Sequence, residues 1–208
     1  VPRNALSRSE VLDFRESLCE VATRLFSEHG YDGVTLRALA AALGCSPMTP
    51  YRYFRNKAEI FSAVRSAAFA RFAERQEEAA RQGSDPRTRL RALCHAYVRF
   101  ALDEPAAYRI MFELDRKDLP PPVSAEDLRA WTAMRGVVGE AVEAGALEGD
   151  PDVLAHLLWS GIHGLVALHL AGMLVLGRDL EELVEAFIER ELGPRSTPMA
   201  PRSRRPES

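Results

Sequence analysis

From Val153 to Leu176 the chain runs for 24 residues without an Asp, Glu, Lys or Arg. A helix of that length could cross a bilayer. The same stretch carries His156, His163 and His169 together with Ser160, Gly161, Gly164 and Gly172, polar and small groups spread through a segment that lipid would have to surround. A helix buried on all sides, in a core or a subunit interface, accounts for it better than a membrane span. A chain of 208 residues is long enough to bury a core of that kind in one or two small domains.

The remaining segments also read as helix. Val11, Phe14, Leu18, Val21, Ala22, Leu25 and Phe26 recur at three- and four-residue spacing, one apolar stripe, and Gly30 stands where a left-handed C-cap would end it. Thr35 is placed to cap a short helix bearing Leu36, Leu39, Ala40 and Leu43, which Gly44 stops. A third short helix is expected from about Pro47 to Phe54. Asn56 then caps a long helix with Glu59 in its first turn and Ile60, Phe61, Val64, Ala68 and Phe72 along one side. Asp85-Pro86 reads as a cap followed by proline at the first helical position, and Asp103-Glu104-Pro105 as a break before a shorter helix through 106–114. A proline-rich loop over Asp115–Val123 and a cap at Ser124 lead to a helix reaching about Ala144. Helices over 152–176 and 179–192 close the ordered part. The Pro-, Ser- and Arg-rich segment 194–208 is expected to be disordered. No stretch alternates at strand period. The expected fold is all-α: a three-helix helix-turn-helix domain over 9–57, a helical effector-binding and dimerisation domain over 58–193, and the tail.

Charge is distributed unevenly. Residues 1–60 carry 8 Lys+Arg against 7 Asp+Glu, residues 61–193 carry 15 against 22, and residues 194–208 carry 4 against 1. The middle of the chain is thus a poor partner for a polyanion, while the two ends are compatible with one. Cys19, Cys45 and Cys94 are odd in number and lack CxxC spacing, which argues against a disulfide framework and a zinc site and fits a reducing compartment. No basic segment followed by an apolar one opens the sequence, so a cytoplasmic location is expected. His156 and His163 have no HExxH-type partner, and no Ser or Cys lies in a nucleophile-elbow context. The expectation is a protein that is not an enzyme and needs neither cofactor nor metal.

The chemistry concentrates between Thr35 and Lys57. Two short helices meeting at Leu43-Gly44-Cys45-Ser46 need a tight reversal, which Gly44 permits, and Ala40, Ala41 and Ala42 allow close approach. A second helix held this way can enter a major groove with first-turn side chains at base edges. There Thr49 can hydrogen-bond a base or phosphate, Pro47 and Met48 can meet thymine methyls, and Arg52 can reach guanine or phosphate. Lys57 and the helix start it occupies can hold a phosphate. A helical hairpin with a glycine turn can equally serve packing alone.

Phe26-x-x-x-Gly30-Tyr31-Asp32-Gly33-Val34-Thr35-Leu36, then Leu39-Ala40, Leu43-Gly44, Ser46 and Tyr51-Arg52-Tyr53-Phe54-Arg55-Asn56-Lys57 resemble the N-terminal domain of the TetR family over about residues 12–60. The resemblance implies double-stranded operator DNA as partner. It implies DNA contacts by Thr35, Arg37, Pro47, Met48, Thr49, Tyr51, Tyr53 and Lys57, with Arg52 as a further candidate. The family usually has an aliphatic residue where Pro50 stands. Proline removes a backbone donor there, so Thr49 is a candidate cap, and which of Met48, Thr49 and Arg52 reaches a base stays open.

Trp159-Ser160-Gly161-Ile162-His163-Gly164 and the run Pro105–Phe112 resemble a TetR C-terminal subfamily named for its Trp-His-Gly signature. That resemblance implies a homodimer, built through the helices of 152–176 and 179–192 as a four-helix bundle, and a small hydrophobic effector between about 85 and 176. Candidate lining residues are His95, Tyr97, Tyr108, Phe112, Trp131, Trp159 and His163, although aromatics at helical spacing also serve simply as core. The expected function is a transcriptional regulator, a repressor released from a palindromic operator by the effector. The alternative is a helix-turn-helix DNA-binding protein with an architectural role or a protein partner in place of the effector.

Overall fold

A computed structural model describes residues 8–112 and 125–193, and the secondary structure among them is entirely helical. The expected proline-rich loop, the Ser124 cap and the tail 194–208 lie outside the described residues. Helix α1 (Arg8–Gly33) is interrupted at Gly30, whose φ of 68° is open to glycine at little cost. It is followed by α2 (Leu36–Ala42) and a single 3-10 turn at Pro50–Arg52. Helices α3 (Lys57–Ala80), α4 (Pro86–Asp103) and α5 (Pro105–Phe112) come next, then α6 (Ala125–Glu143), α7 (Pro151–Leu170) and α8 (Leu180–Leu192). The caps expected at Thr35, Asn56 and Asp85 are formed. Asn56 accepts from the Glu59 N–H at 2.9 Å and Asp85 from the Thr88 N–H at 3.1 Å. Asp150 and Asp179 cap α7 and α8 in the same way. Each cap contributes about 1 kcal/mol.

Two hydrophobic cores result. The first gathers Leu18, Ala22 and Phe26 of α1, Leu39 of α2, Phe54, and Ile60, Phe61 and Val64 from the start of α3. Phe61 meets Phe26 and Tyr31 edge-on at 5.1 and 5.2 Å, a favoured geometry for ring pairs. The second takes over farther along α3, from Ala68, and is completed by α4 to α8. One residue of the second half, Ile110 of α5, is buried in the first core. Its neighbour Met111 belongs to the second. Helix α5 therefore joins the two.

The uncharged stretch differs from expectation in two ways. Helix α7 stops at Leu170, because Gly172 adopts φ 67° and the N–H groups of Gly172 and Met173 turn back to the His169 and Leu168 carbonyls, a glycine C-cap. Met173, Val175 and Leu176 lie beyond the helix and are exposed. Nor is α7 buried on all sides. Ala155, Leu158, Ile162 and Val166 face the core, whereas Val153, Leu157 and Leu168 are 56%, 58% and 42% exposed. By length and composition α7 could cross a membrane, but in this fold it packs against α4, α6 and α8. Gly161 serves contact within the chain, since a Cβ there would overlap the Phe187 ring of α8. Gly164 has open space beside it.

Candidate nucleic-acid interface and effector cavity

The helix-turn-helix begins with a working cap: Thr35 Oγ1 accepts from the Ala38 N–H at 3.1 Å. Helix α2 ends at Ala42, and the Gly44 and Cys45 N–H groups return to the Ala41 and Ala40 carbonyls, each at 3.0 Å. Gly44 sits at φ 66° with nothing near its missing side chain, so backbone conformation rather than crowding calls for glycine.

The third helix expected over 47–54 is not an α-helix. An α-helical ladder from Ser46 would require an N–H at position 50, and Pro50 has none. The Ser46 carbonyl instead accepts from Thr49 at 2.8 Å, and Arg52 and Tyr53 bond three residues back to Thr49 and Pro50, at 3.1 and 3.0 Å. This is a 3-10 pattern. Thr49 precedes Pro50 at the start of the turn, yet its side chain makes no capping bond and its backbone is already helical.

Arg37, Pro47, Met48, Tyr51 and Arg52 are exposed, as is the capping residue Thr35, and Thr49 is half-buried. Met48 is 67% and Tyr51 50% exposed, large apolar groups that leave half or more of their surface in solvent. Tyr53 differs, because its ring stacks on Phe14 at 4.2 Å and its carbonyl accepts from the Arg15 guanidinium at 2.8 Å. Lys57 is also engaged within the fold. Its ammonium donates to the Tyr31 carbonyl at 2.8 Å and lies 4.1 Å from the centre of the Tyr31 ring, tying the start of α3 to the end of α1.

In the second half, α3, α4, α5, α6 and α7 surround a cavity of about 840 Å³. Five of the seven residues expected to line it do so: Tyr97, Phe112, Trp131, Trp159 and His163. Tyr108 stands behind them, its hydroxyl 2.7 Å from His163 Nδ1 and 3.2 Å from the Tyr97 hydroxyl. Tyr97 lies 3.0 Å from the same nitrogen. Burial pushes the His163 pKa down and both tyrosine pKa values up, so the cluster is neutral near pH 7. The two hydroxyls and Nδ1 lie within hydrogen-bonding distance of one another, and the donor in each contact is set by the His163 tautomer. His95, like Tyr108, is absent from the lining. It lies outside this wall and faces Glu185 of α8 at 3.2 Å.

Sequence reading missed the cavity's polar members. Arg65 donates to Asp127 at 2.9 Å, both side chains only 12% exposed, and it also contacts the Met111 carbonyl and the Phe69 ring. Asp152 is paired with Arg135 at 2.9 Å. Gln76, 1% exposed, is also in the wall. Arg65 and Asp127 are 62 positions apart, and no local spacing announces such a pair. Among the described residues no group of three or more His, Cys, Asp or Glu side chains is arranged to hold a metal ion.

The chain matches two family models: "Bacterial regulatory proteins, tetR family" over residues 18–64 and "Tetracyclin repressor-like, C-terminal domain" over residues 90–190. It is 30% identical over 165 residues to the transcriptional activator FasR of Mycolicibacterium smegmatis, covering 79% of this chain and 71% of FasR. It is 27% identical over 168 residues to the transcriptional repressor AcnR of Corynebacterium efficiens, covering 67% of this chain and 88% of AcnR. Among solved structures, a protein of unknown function from Rhodococcus sp. RHA1 superposes with a TM-score of 0.74 at 28% identity, over 92% of this chain and 96% of that one. A helix-turn-helix at residues 35–52, a helical domain with a cavity open to solvent among its helices, and these likenesses across both halves lead to one conclusion: the chain belongs to the TetR family of DNA-binding transcriptional regulators.

Proposed function

We propose that the protein is a homodimeric repressor that binds a pseudo-palindromic operator and leaves it when a small, largely apolar effector enters the 840 Å³ cavity. The observation that carries this reading is the double membership of α5. Met111 and Phe112 line the cavity, and Ile110 is buried in the DNA-binding core. A ligand that displaces α5 by a fraction of an ångström must disturb the packing beneath the helix-turn-helix, because close-packed interiors transmit strain rather than absorb it. Arg65 strengthens the link: it sits on α3, which runs from one core into the other, and contacts both α5 and α6.

The two functional halves are 9–57 and 58–193, with α3 shared between their cores. The apolar face of α7 at Val153, Leu157 and Leu168 supports dimerisation through α7 and α8, since an isolated chain would leave that stripe in water. A two-fold axis there would present two reading units to grooves about 34 Å apart. Trp159 and His163 on the cavity wall, followed by Gly164, support membership of the Trp-His-Gly subfamily. DNA contact falls to Thr35, Arg37, Pro47, Met48, Thr49, Tyr51 and Arg52, with Tyr53 and Lys57 acting at least in part by holding the unit together. The protein works in the cytoplasm, where its operator is.

Selection of bound duplexes from a random pool tests this directly. A two-fold symmetric consensus is expected. Recovery of asymmetric or unrelated sequences would overturn the operator reading. Placing the selected site over or upstream of a reporter promoter then separates repression from activation.

A further inference from the structure

One guanidinium fastens three helices at the level where the two cores meet. Arg65 lies on α3 directly after Val64, a member of the first core, and four residues before Phe69, a member of the second. Its Nη2 donates to Asp127 Oδ2 of α6 at 2.9 Å, and its Nε donates to the Met111 carbonyl of α5 at 3.3 Å. The Phe69 ring packs against the same guanidinium at 4.4 Å. Met111 belongs to the last turn of α5, where a helix leaves its carbonyls without intrahelical partners. Arg65 therefore caps α5 from the side. The residue before Met111, Ile110, is buried in the first core, and α5 packs directly on α1. The setting of α1, and of the helix-turn-helix behind it, is in this way tied to α6.

The Arg65 and Asp127 side chains are both mostly buried. A buried ion pair adds little net stability over apolar side chains of similar volume, because desolvation offsets its attraction. It supplies direction instead. A planar guanidinium holding two acceptors fixes the angle between the helices that carry them, whereas apolar contacts permit sliding. We infer that Arg65 is a positioning residue for operator binding: together with Asp127 it holds the helix-turn-helix at the orientation a duplex with two half-sites requires, without itself touching DNA. This inference rests on the dimeric reading above, since only a molecule with two reading units must hold them one turn of the duplex apart. Loosening the clamp widens the range of orientations each unit explores, and ordering them again on the duplex costs affinity.

Two variants of the full-length protein test this, each titrated with the duplex recovered by selection and with a single half-site of it. Arg65→Met/Asp127→Leu removes the pair but fills its space, so its thermal midpoint is expected to stay near that of the parent. Its affinity for the full site should fall about tenfold and its affinity for the half-site should stay within about twofold. The salt dependence should be unchanged, because no phosphate contact is lost. Asp127→Asn, which keeps the shape and withdraws the charge, should show the same pattern, and it decides the matter if the double variant does not fold. Undiminished affinity of the folded variants for the full site overturns the inference. So does an equal loss on the half-site, which would mean damage to the reading unit itself, or a flattened salt slope, which would make Arg65 a DNA contact. A parent protein that binds full site and half-site equally would overturn the dimeric reading, and this inference with it.

Discussion

Lys57 shows how a single residue can carry two roles that pull a prediction in different directions. Its position at the start of α3 invites a phosphate, yet its ammonium is already shared between the Tyr31 carbonyl and the Tyr31 ring. Lys57→Ala should lower unfolding stability by about 1 kcal/mol, from the lost charged hydrogen bond and ring contact. It should also weaken binding to all DNA sequences alike and flatten the salt dependence by about one phosphate contact. Denaturant melts and binding at several salt concentrations read the two effects separately. If stability falls and the salt slope is unchanged, Lys57 is only a tether between α1 and α3. Tyr53 illustrates the same lesson. The family pattern includes it, and the fold uses its ring against Phe14.

At the scale of elements, proline and glycine decide most of what differs from a simple periodic reading. Pro50 turns an expected α-helix into one 3-10 turn by withholding a single N–H. Gly172 ends α7 six residues before the uncharged stretch itself ends. Gly161 acts through size instead, letting α8 approach until Phe187 occupies the space of a side chain. Gly161→Ala should therefore force α8 outward and cost about 1–3 kcal/mol, the usual range for overpacking. Urea unfolding measures it. A loss within about 0.5 kcal/mol, typical of an unconstrained surface site, would mean that α8 moves aside freely.

For the whole molecule, the exposed apolar stripe of α7 carries the largest consequence. Leu157, 58% exposed in the single chain, lies at the centre of the proposed dimer contact. Leu157→Glu would place a charge on each side of the two-fold axis, where burying it unpaired is prohibitive. The variant is expected to elute as a single chain at micromolar concentration. Its operator affinity should fall at least about a hundredfold, because two half-sites would no longer be held as one unit. Light scattering coupled to size exclusion supplies the mass, and an unaltered dimer would move the interface elsewhere.

What the sequence by itself determined is local in origin. The helices, their Asp, Asn and Thr caps, the Gly44 turn and the Tyr51–Lys57 pattern all depend on residues within a few positions of one another, where periodicity and backbone chemistry act directly. Five of the seven cavity residues were legible for a related reason: aromatics on helical stripes face inward, and a cavity between helices lies inward too. The tertiary structure decided which inward residues line the cavity and which polar groups join them. The Arg65–Asp127 pair, the unpartnered Gln76 oxygen and the displacement of His95 toward Glu185 depend on how distant helices are set against each other. So does the role of α5, whose neighbouring residues Ile110 and Met111 enter different cores. No spacing along the chain encodes that, because it arises only where two separately packed interiors meet on one helix.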